Sequence, residues 1–150
     1  MLWHNRARRI KRAYRELSEF LFYTAPSHTI SEDAPQTFAD LKRRSDSTII
    51  VWSGASSHTI YDRPEVNAAF RAIHDTAHLA LGVGFDFHAE NTVAAHCVGQ
   101  ARRAGLDEAA CAALYFDSVG QNRHFHDHGR FVADQVGFVT AKMQEWLCTR

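Results

Sequence analysis

The sequence predicts a mainly α-helical protein, one compact domain over residues 1–150 with a small β-hairpin near residues 48–61. Apolar residues recur at three- and four-residue steps through most of the chain, the period of helices packed on one face. Glycine and proline fall mainly between those stretches, where helices begin and end. The β-branched runs are confined to one short region, and a two-stranded ribbon cannot form a core by itself.

From Trp3 to Tyr23 there is no Gly or Pro, and Trp3, Ile10, Tyr14, Leu17 and Leu21 form the apolar stripe of an amphipathic first helix. Its first half is basic, with Arg6, Arg8, Arg9, Lys11, Arg12 and Arg15 preceding any acidic residue. Arg8, Arg9 and Arg12 are therefore candidates for contact with nucleic acid or an acidic partner, against the plainer reading of a solvated helix face. Residues 24–36, with Pro26 and Pro35, read as a loop, and 36–44 as a short helix. Thr48-Ile-Ile-Val-Trp52 and His58-Thr-Ile-Tyr61, joined by turn-like residues 54–57, read as the two arms of the hairpin. Asp62-Arg-Pro-Glu65 starts the next helix, with Asp62 as cap and Pro64 in the first turn, and the helix runs to about Leu81. Asn91 to Ala104 forms another, closed by Gly105, and Asp107 caps a third that runs to Val119 and ends at Gly120. A last helix covers about Gly129 to Leu147, with Val132, Val136, Val139, Met143 and Trp146 on one stripe.

Composition narrows the function classes. Hydrophobic residues make up 45% and charged residues 23%, an ordinary globular balance, and 17 Lys+Arg match 17 Asp+Glu. Net charge thus argues for neither a nucleic-acid binder nor a membrane-surface protein. No stretch approaches the roughly 18 to 20 apolar residues of a membrane span, and the N-terminus lacks the charged-then-apolar order of a signal peptide, so a cytoplasmic protein is expected. Cys97, Cys111 and Cys148 show no CxxC pairing, unlike a disulfide framework or a thiolate zinc site.

Ten histidines carry the chemistry. On a helix over 62–81, Val66, Phe70, Ile73, Ala77, Ala80 and Leu81 share the core face, and His74 and His78, about 40° apart at 100° per residue, lie on its shoulder. One ion can see both imidazoles. The His-Asp-x-x-His order matches the geometry of the zincin pattern, in which i and i+4 histidines bind zinc and the intervening carboxylate is the base. Asp75 holds that place here. After Gly82 and Gly84, a turn returning antiparallel brings Glu90 near His78, giving two nitrogens and one carboxylate with a position left open. His96 is a rival third ligand, about 120° from Glu90 on an ideal helix. The plain alternative is a pair of partly buried histidines bonded to backbone. A second cluster, His124-Phe-His126-Asp-His128, lacks one spacer of the metallo-β-lactamase motif and stands in a chain without that fold's sheets, so that assignment is rejected. His124 and His128 can add a ligand or a proton shuttle; Asp117, Gln121 and Asn122 fall where polar side chains line pockets.

The order Phe70-Arg-Ala-Ile-His74-Asp75-x-x-His78, Gly84-Phe85, Glu90-Asn91, Ala95-His96 and Gly120-Gln121-Asn122 resembles a helical domain of tailed-phage and mobile-element proteins, in some of which it is one module of a very large (polyvalent-type) polypeptide. The resemblance covers about residues 61–123, in a motif-bearing region that reaches about 128. It implies a phage or prophage origin, hence a host-cytoplasmic or virion-associated protein, and no settled activity. A weaker resemblance links His74-Asp-Thr-Ala-His78 and Phe87-His88-Ala-Glu90 to the nucleotidase branch of the HD phosphohydrolases. It implies a phosphoester substrate, Asp75 as a ligand, and further ligands upstream and downstream, for which His28 and Asp117 or Asp127 are available.

The expectation that follows is a metal-dependent enzyme, a hydrolase with one divalent ion (zinc, iron or manganese) per chain held by His74, His78 and Glu90. Asp75 would activate a water there. The second expectation is a non-catalytic phage accessory protein whose basic N-terminal helix contacts nucleic acid or a host protein.

Overall fold

The structure, a computed structural model, describes residues 3–61 and 63–150. Helix α1 (Trp3–Thr24) buries Ile10, Ala13, Leu17 and Leu21, the stripe its sequence predicts, against two later helices of the chain. Strand β1 (His28–Ser31), helix α2 (Phe38–Arg44) and strand β2 (Ile49–Trp52) follow.

The two strands pair in parallel, His28 opposite Ile49 and Ser31 opposite Trp52, with α2 in the connection between them. The expected hairpin is therefore corrected. The partner of β2 comes from the stretch between Pro26 and Pro35, and residues 58–61 form bends. The cause lies in burial. In β2, Ile49 and Val51 alternate onto Ala68 and Ala72 of the following helix, as a strand with one covered face requires. Ile60 and Tyr61 are both buried in the main core, which two neighbouring residues of one strand cannot be on a single face.

Helix α3 (Pro64–Leu81) begins with Pro64 in its first turn, as expected. Its N-cap is Arg63, whose side chain makes no capping bond; Asp62, the expected cap, lies outside the described residues. The helix closes at Gly82, which takes the left-handed conformation at φ 66° that glycine adopts without a Cβ penalty. Contacts with α1, β2 and the next helix bury Val66, Ala68, Ala69, Ala72, Ala77 and His78, a wider sector than one stripe, while Ala80 and Leu81 are exposed.

Helix α4 (Phe87–Arg103) starts four residues earlier than expected because the Asp86 carboxylate accepts the Ala89 N–H at 3.0 Å. Helix α5 (Glu108–Tyr115) is capped by Asp107, as expected. Gly120 does not end a helix. The chain runs from α5 through a π-helical turn (Phe116–Gly120) directly into α6 (Gln121–His128), and Gly120 itself is helical at φ −62°. Gly129, at φ 70°, closes α6 instead of opening the last helix, which is α7 (Gln135–Cys148), capped by Asp134. Val139, Met143 and Leu147 seat α7 on the core shared by α1, α3 and α5. A smaller cluster of Ala77, Val93 and Cys97 locks α3 to α4. None of the described helices is long and apolar enough to cross a membrane.

Candidate metal centre

The lock between α3 and α4 brings three side chains to one point. His74 and His78 stand one turn apart on α3; the chain reverses through Gly82–Asp86, and Glu90 comes back in the first turn of α4. His74 Nε2 lies 2.8 Å from Glu90 Oε2, His78 Nε2 lies 3.4 Å from the same oxygen, and the two Nε2 atoms are 3.1 Å apart. These three, with one donor atom each, are grouped as a set able to hold an ion. A tetrahedral site with metal–ligand bonds of about 2.0–2.1 Å separates its ligands by about 3.3 Å, so the donor set needs only a small expansion to fit.

Each member is held from outside the triangle. His78 is fully buried, its ring edge-on to Phe85 at 4.8 Å, and its Nδ1–H donates to the Val83 carbonyl at 3.2 Å. That bond selects the tautomer whose Nε2 lone pair points at Glu90 and His74. His74 packs against Phe70 and is 19% exposed. Its Nδ1 is buried without a partner, so one ring nitrogen carries a cost of about 1–3 kcal/mol. A ring held so despite that cost is positioned by its other nitrogen.

Charge follows geometry. Burial alone would raise the Glu90 carboxyl, but its bonds to His74 and His78 outweigh it and hold the pKa at about 2. For His78, burial works to lower the pKa; the bond and charge of Glu90, with the Val83 carbonyl, outweigh it, and the net shift is upward. Asp75 is pushed up to about 6 by burial, against the pull of His74 and His78. Glu90 is thus anionic at any working pH, and a cation arriving at the triangle would displace the proton shared among the imidazoles.

The cluster faces two hollows. A cavity of about 660 Å³ is lined by His74 and Glu90 at one end and by Asp117, Gln121 and Asn122 on the π turn and α6. A smaller cleft of about 200 Å³ lies across His74 and Glu90, bounded by Asp75, Arg71 and Trp52. Three protein donors with space beside them is the arrangement of a reactive metal site, whereas structural zinc sites close all four positions.

The other expected site residues divide clearly. Asp117 is buried, accepts the Tyr61 hydroxyl at 2.7 Å and the Gln121 amide at 2.6 Å, and is raised to about 6 by burial, against those two bonds. Asn122 donates to Asn91 Oδ1 at 2.8 Å. His96 is not brought to the triangle: because α4 is already regular at Glu90, His96 falls on another face and lines a separate cavity with Thr76 and Cys97. His124 and His128 pair with each other at 4.4 Å, away from the cluster, and His124 also meets Phe138. The cavity takes His126 instead, stacked on Phe87 at 3.8 Å; the alternation of the 124–128 run marked it only as one of three. His28 starts β1 and bonds the Pro26 carbonyl, far from a ligand role. Arg8, Arg9 and Arg12 line a hollow of about 420 Å³ on α1 together with Glu16 and Asp107. Tyr61, the partner of Asp117 from 56 residues away, carries no spacing signal by which sequence could find it.

No protein-family model, curated protein or solved structure matches the chain.

Proposed function

We propose that the protein is a metal-dependent hydrolase whose single divalent ion is held by His74, His78 and Glu90. The observation that carries this reading is the convergence of two Nε2 atoms and one carboxylate oxygen within 3.4 Å of one another beside an open cavity. Bound there, the ion would supply a water of lowered pKa and polarise the bond under attack. Asp75 lies outside the triangle and opens into the same cleft as His74 and Glu90, which favours its role as the base over a role as ligand. The HD-type scheme needs Asp75 among the ligands, so the geometry favours the zincin-like arrangement of roles. The resemblance of residues 61–123 adds a phage or mobile-element origin to this reading.

The test is metal content of untagged, natively purified protein by elemental mass spectrometry. About one zinc, iron or manganese per chain is expected, lost in His74→Ala, His78→Ala and Glu90→Ala and kept in Asp75→Asn. Activity found in a screen of phosphoesters and amides should then be lost in Asp75→Asn although its metal is retained. A parent protein that takes up no ion after reloading refutes the proposal.

A second reading rests on α1. Arg8 and Arg12 are exposed on one edge of the helix, as a phosphate-contacting surface requires, though Glu16 and Asp107 share their hollow. Binding of duplex DNA that falls steeply with salt and weakens in Arg8→Ala and Arg12→Ala would support it.

A further inference from the structure

The cavity beside the triangle has a chemistry of its own. Among the described residues that line it there is no Lys or Arg, and one wall holds the buried carboxyl of Asp117. Such a lining offers nothing to neutralise a phosphate and repels one. Its apolar walls are aromatic. Phe70 and Phe85 stand nearest the triangle, the Phe87–His126 pair stacks at 3.8 Å and 16°, and Phe125 and Phe131 pair at 4.6 Å. Phe125 is 41% exposed and Phe131 77%, so two large rings sit open to solvent at a cavity that already contains four aromatic groups. Flat rings presented in this way suit a flat ring as guest.

The polar groups define which ring. The π turn has one more residue than an α turn, and it puts Asp117, Gln121 and Asn122 on one face of the helix, toward the cavity. Gln121 uses an amide N–H on Asp117, and Asn122 donates its amide to Asn91 and to the Phe87 carbonyl. Each amide is thereby fixed in orientation with its oxygen unspent: neither Gln121 Oε1 nor Asn122 Oδ1 accepts a hydrogen bond from a described residue. Gln121 keeps one further N–H. Two adjacent carboxamide oxygens and one N–H are complementary to a ring edge that carries an amino group beside a ring nitrogen.

We infer that this cavity recognises an uncharged, amino-bearing aromatic heterocycle of nucleoside size, read by Gln121 and Asn122 and stacked on the phenylalanine walls, in place of a phosphorylated substrate. This rests on the hydrolase reading for its chemistry and not for its binding, because none of the recognising groups is a ligand of the triangle. A volume of about 660 Å³ falls within the range of sites that enclose a small organic ligand.

Calorimetric titration of adenosine, cytidine, inosine, uridine and AMP into metal-depleted and zinc-loaded protein tests it. Adenosine or cytidine should bind, at least about tenfold more tightly than inosine, uridine and AMP, the effect of one well-formed hydrogen bond or one unfavourable charge. Gln121→Leu should remove the preference for the amino compound while zinc still binds at one per chain. Phe131→Ala, at an exposed position where folding is not at stake, should weaken adenosine or cytidine about fivefold or more. Zinc uptake with no binding of adenosine or cytidine, or equal or tighter binding of AMP, overturns the inference and leaves the metal centre standing. Selective adenosine or cytidine binding by protein that takes up no zinc keeps the inference and overturns the hydrolase.

Discussion

The chain contains the same pair twice. His74 and His78 on α3 and His124 and His128 on α6 are both i and i+4, with ring centroids 4.8 Å and 4.4 Å apart. Only the first is a candidate centre. Its His78 is fully buried and fixed by a backbone carbonyl, and Glu90 arrives from a second helix to complete the triangle. The α6 pair has His128 exposed, His124 beside Phe138, and no carboxylate grouped with it among the described residues. Spacing makes two imidazoles neighbours. A third donor, desolvation and a fixed tautomer make them a site, and all three come from packing.

The sharpest way to break this contrast is to remove one ring from each pair. His78→Ala should abolish metal uptake and lower unfolding free energy by about 2–4 kcal/mol, since it empties a buried site and leaves the Val83 carbonyl unpaired. Equal metal loss in His128→Ala would erase the distinction. A second comparison uses pH. Asp117 is raised from 3.8 to about 6 by burial, so the folded protein binds a proton there more tightly than the unfolded chain. The stability this lends is full below about pH 4 and is lost as pH rises through 6, a change of about 3 kcal/mol. Denaturation of the parent and Asp117→Asn across pH 4–7 should therefore show the parent losing ground to the variant as pH rises; parallel curves would exclude the effect.

Smaller effects test how α3 and α4 are joined. Gly82→Ala, at a φ of 66°, should cost about 1 kcal/mol by chemical denaturation and reduce zinc affinity, because Glu90 depends on that turn to reach His78. At the bottom of the scale, His124→Ala and His128→Ala should each stay within about 0.5 kcal/mol of the parent and keep full metal content. A large loss in either would mean that α6 carries structural weight its exposure does not suggest.

Much of the triangle was legible in the sequence because it is local. His74 and His78 are fixed by helical period, and Glu90 by a reversal that Gly82 and Gly84 announce. The helices were legible for the same reason, down to Pro64 and Asp107 at their starts. What escaped depends on distant partners. β1 is four residues between prolines with only a half-covered face, and it pairs with a strand 21 residues further on, which no alternation signals. The π turn was hidden because Gly120 has the composition of a helix stop, while tertiary contacts with α4 and α7 carry the helix through it. His96 looked equivalent to Glu90 until the true start of α4 fixed their phase.

That turn has a genetic consequence. A π turn is an α-helix with one residue inserted, so loss of a single codon from the 116–120 segment would return the stretch to an ordinary helix of nearly the same length. Everything beyond would rotate about 100°. Gln121, Asn122 and His126 would swing away together from the triangle without any of them being replaced. Substitutions can change this wall only one residue at a time, whereas a one-residue insertion or deletion acts on it as a screw. The wall's composition and its orientation are thus inherited separately.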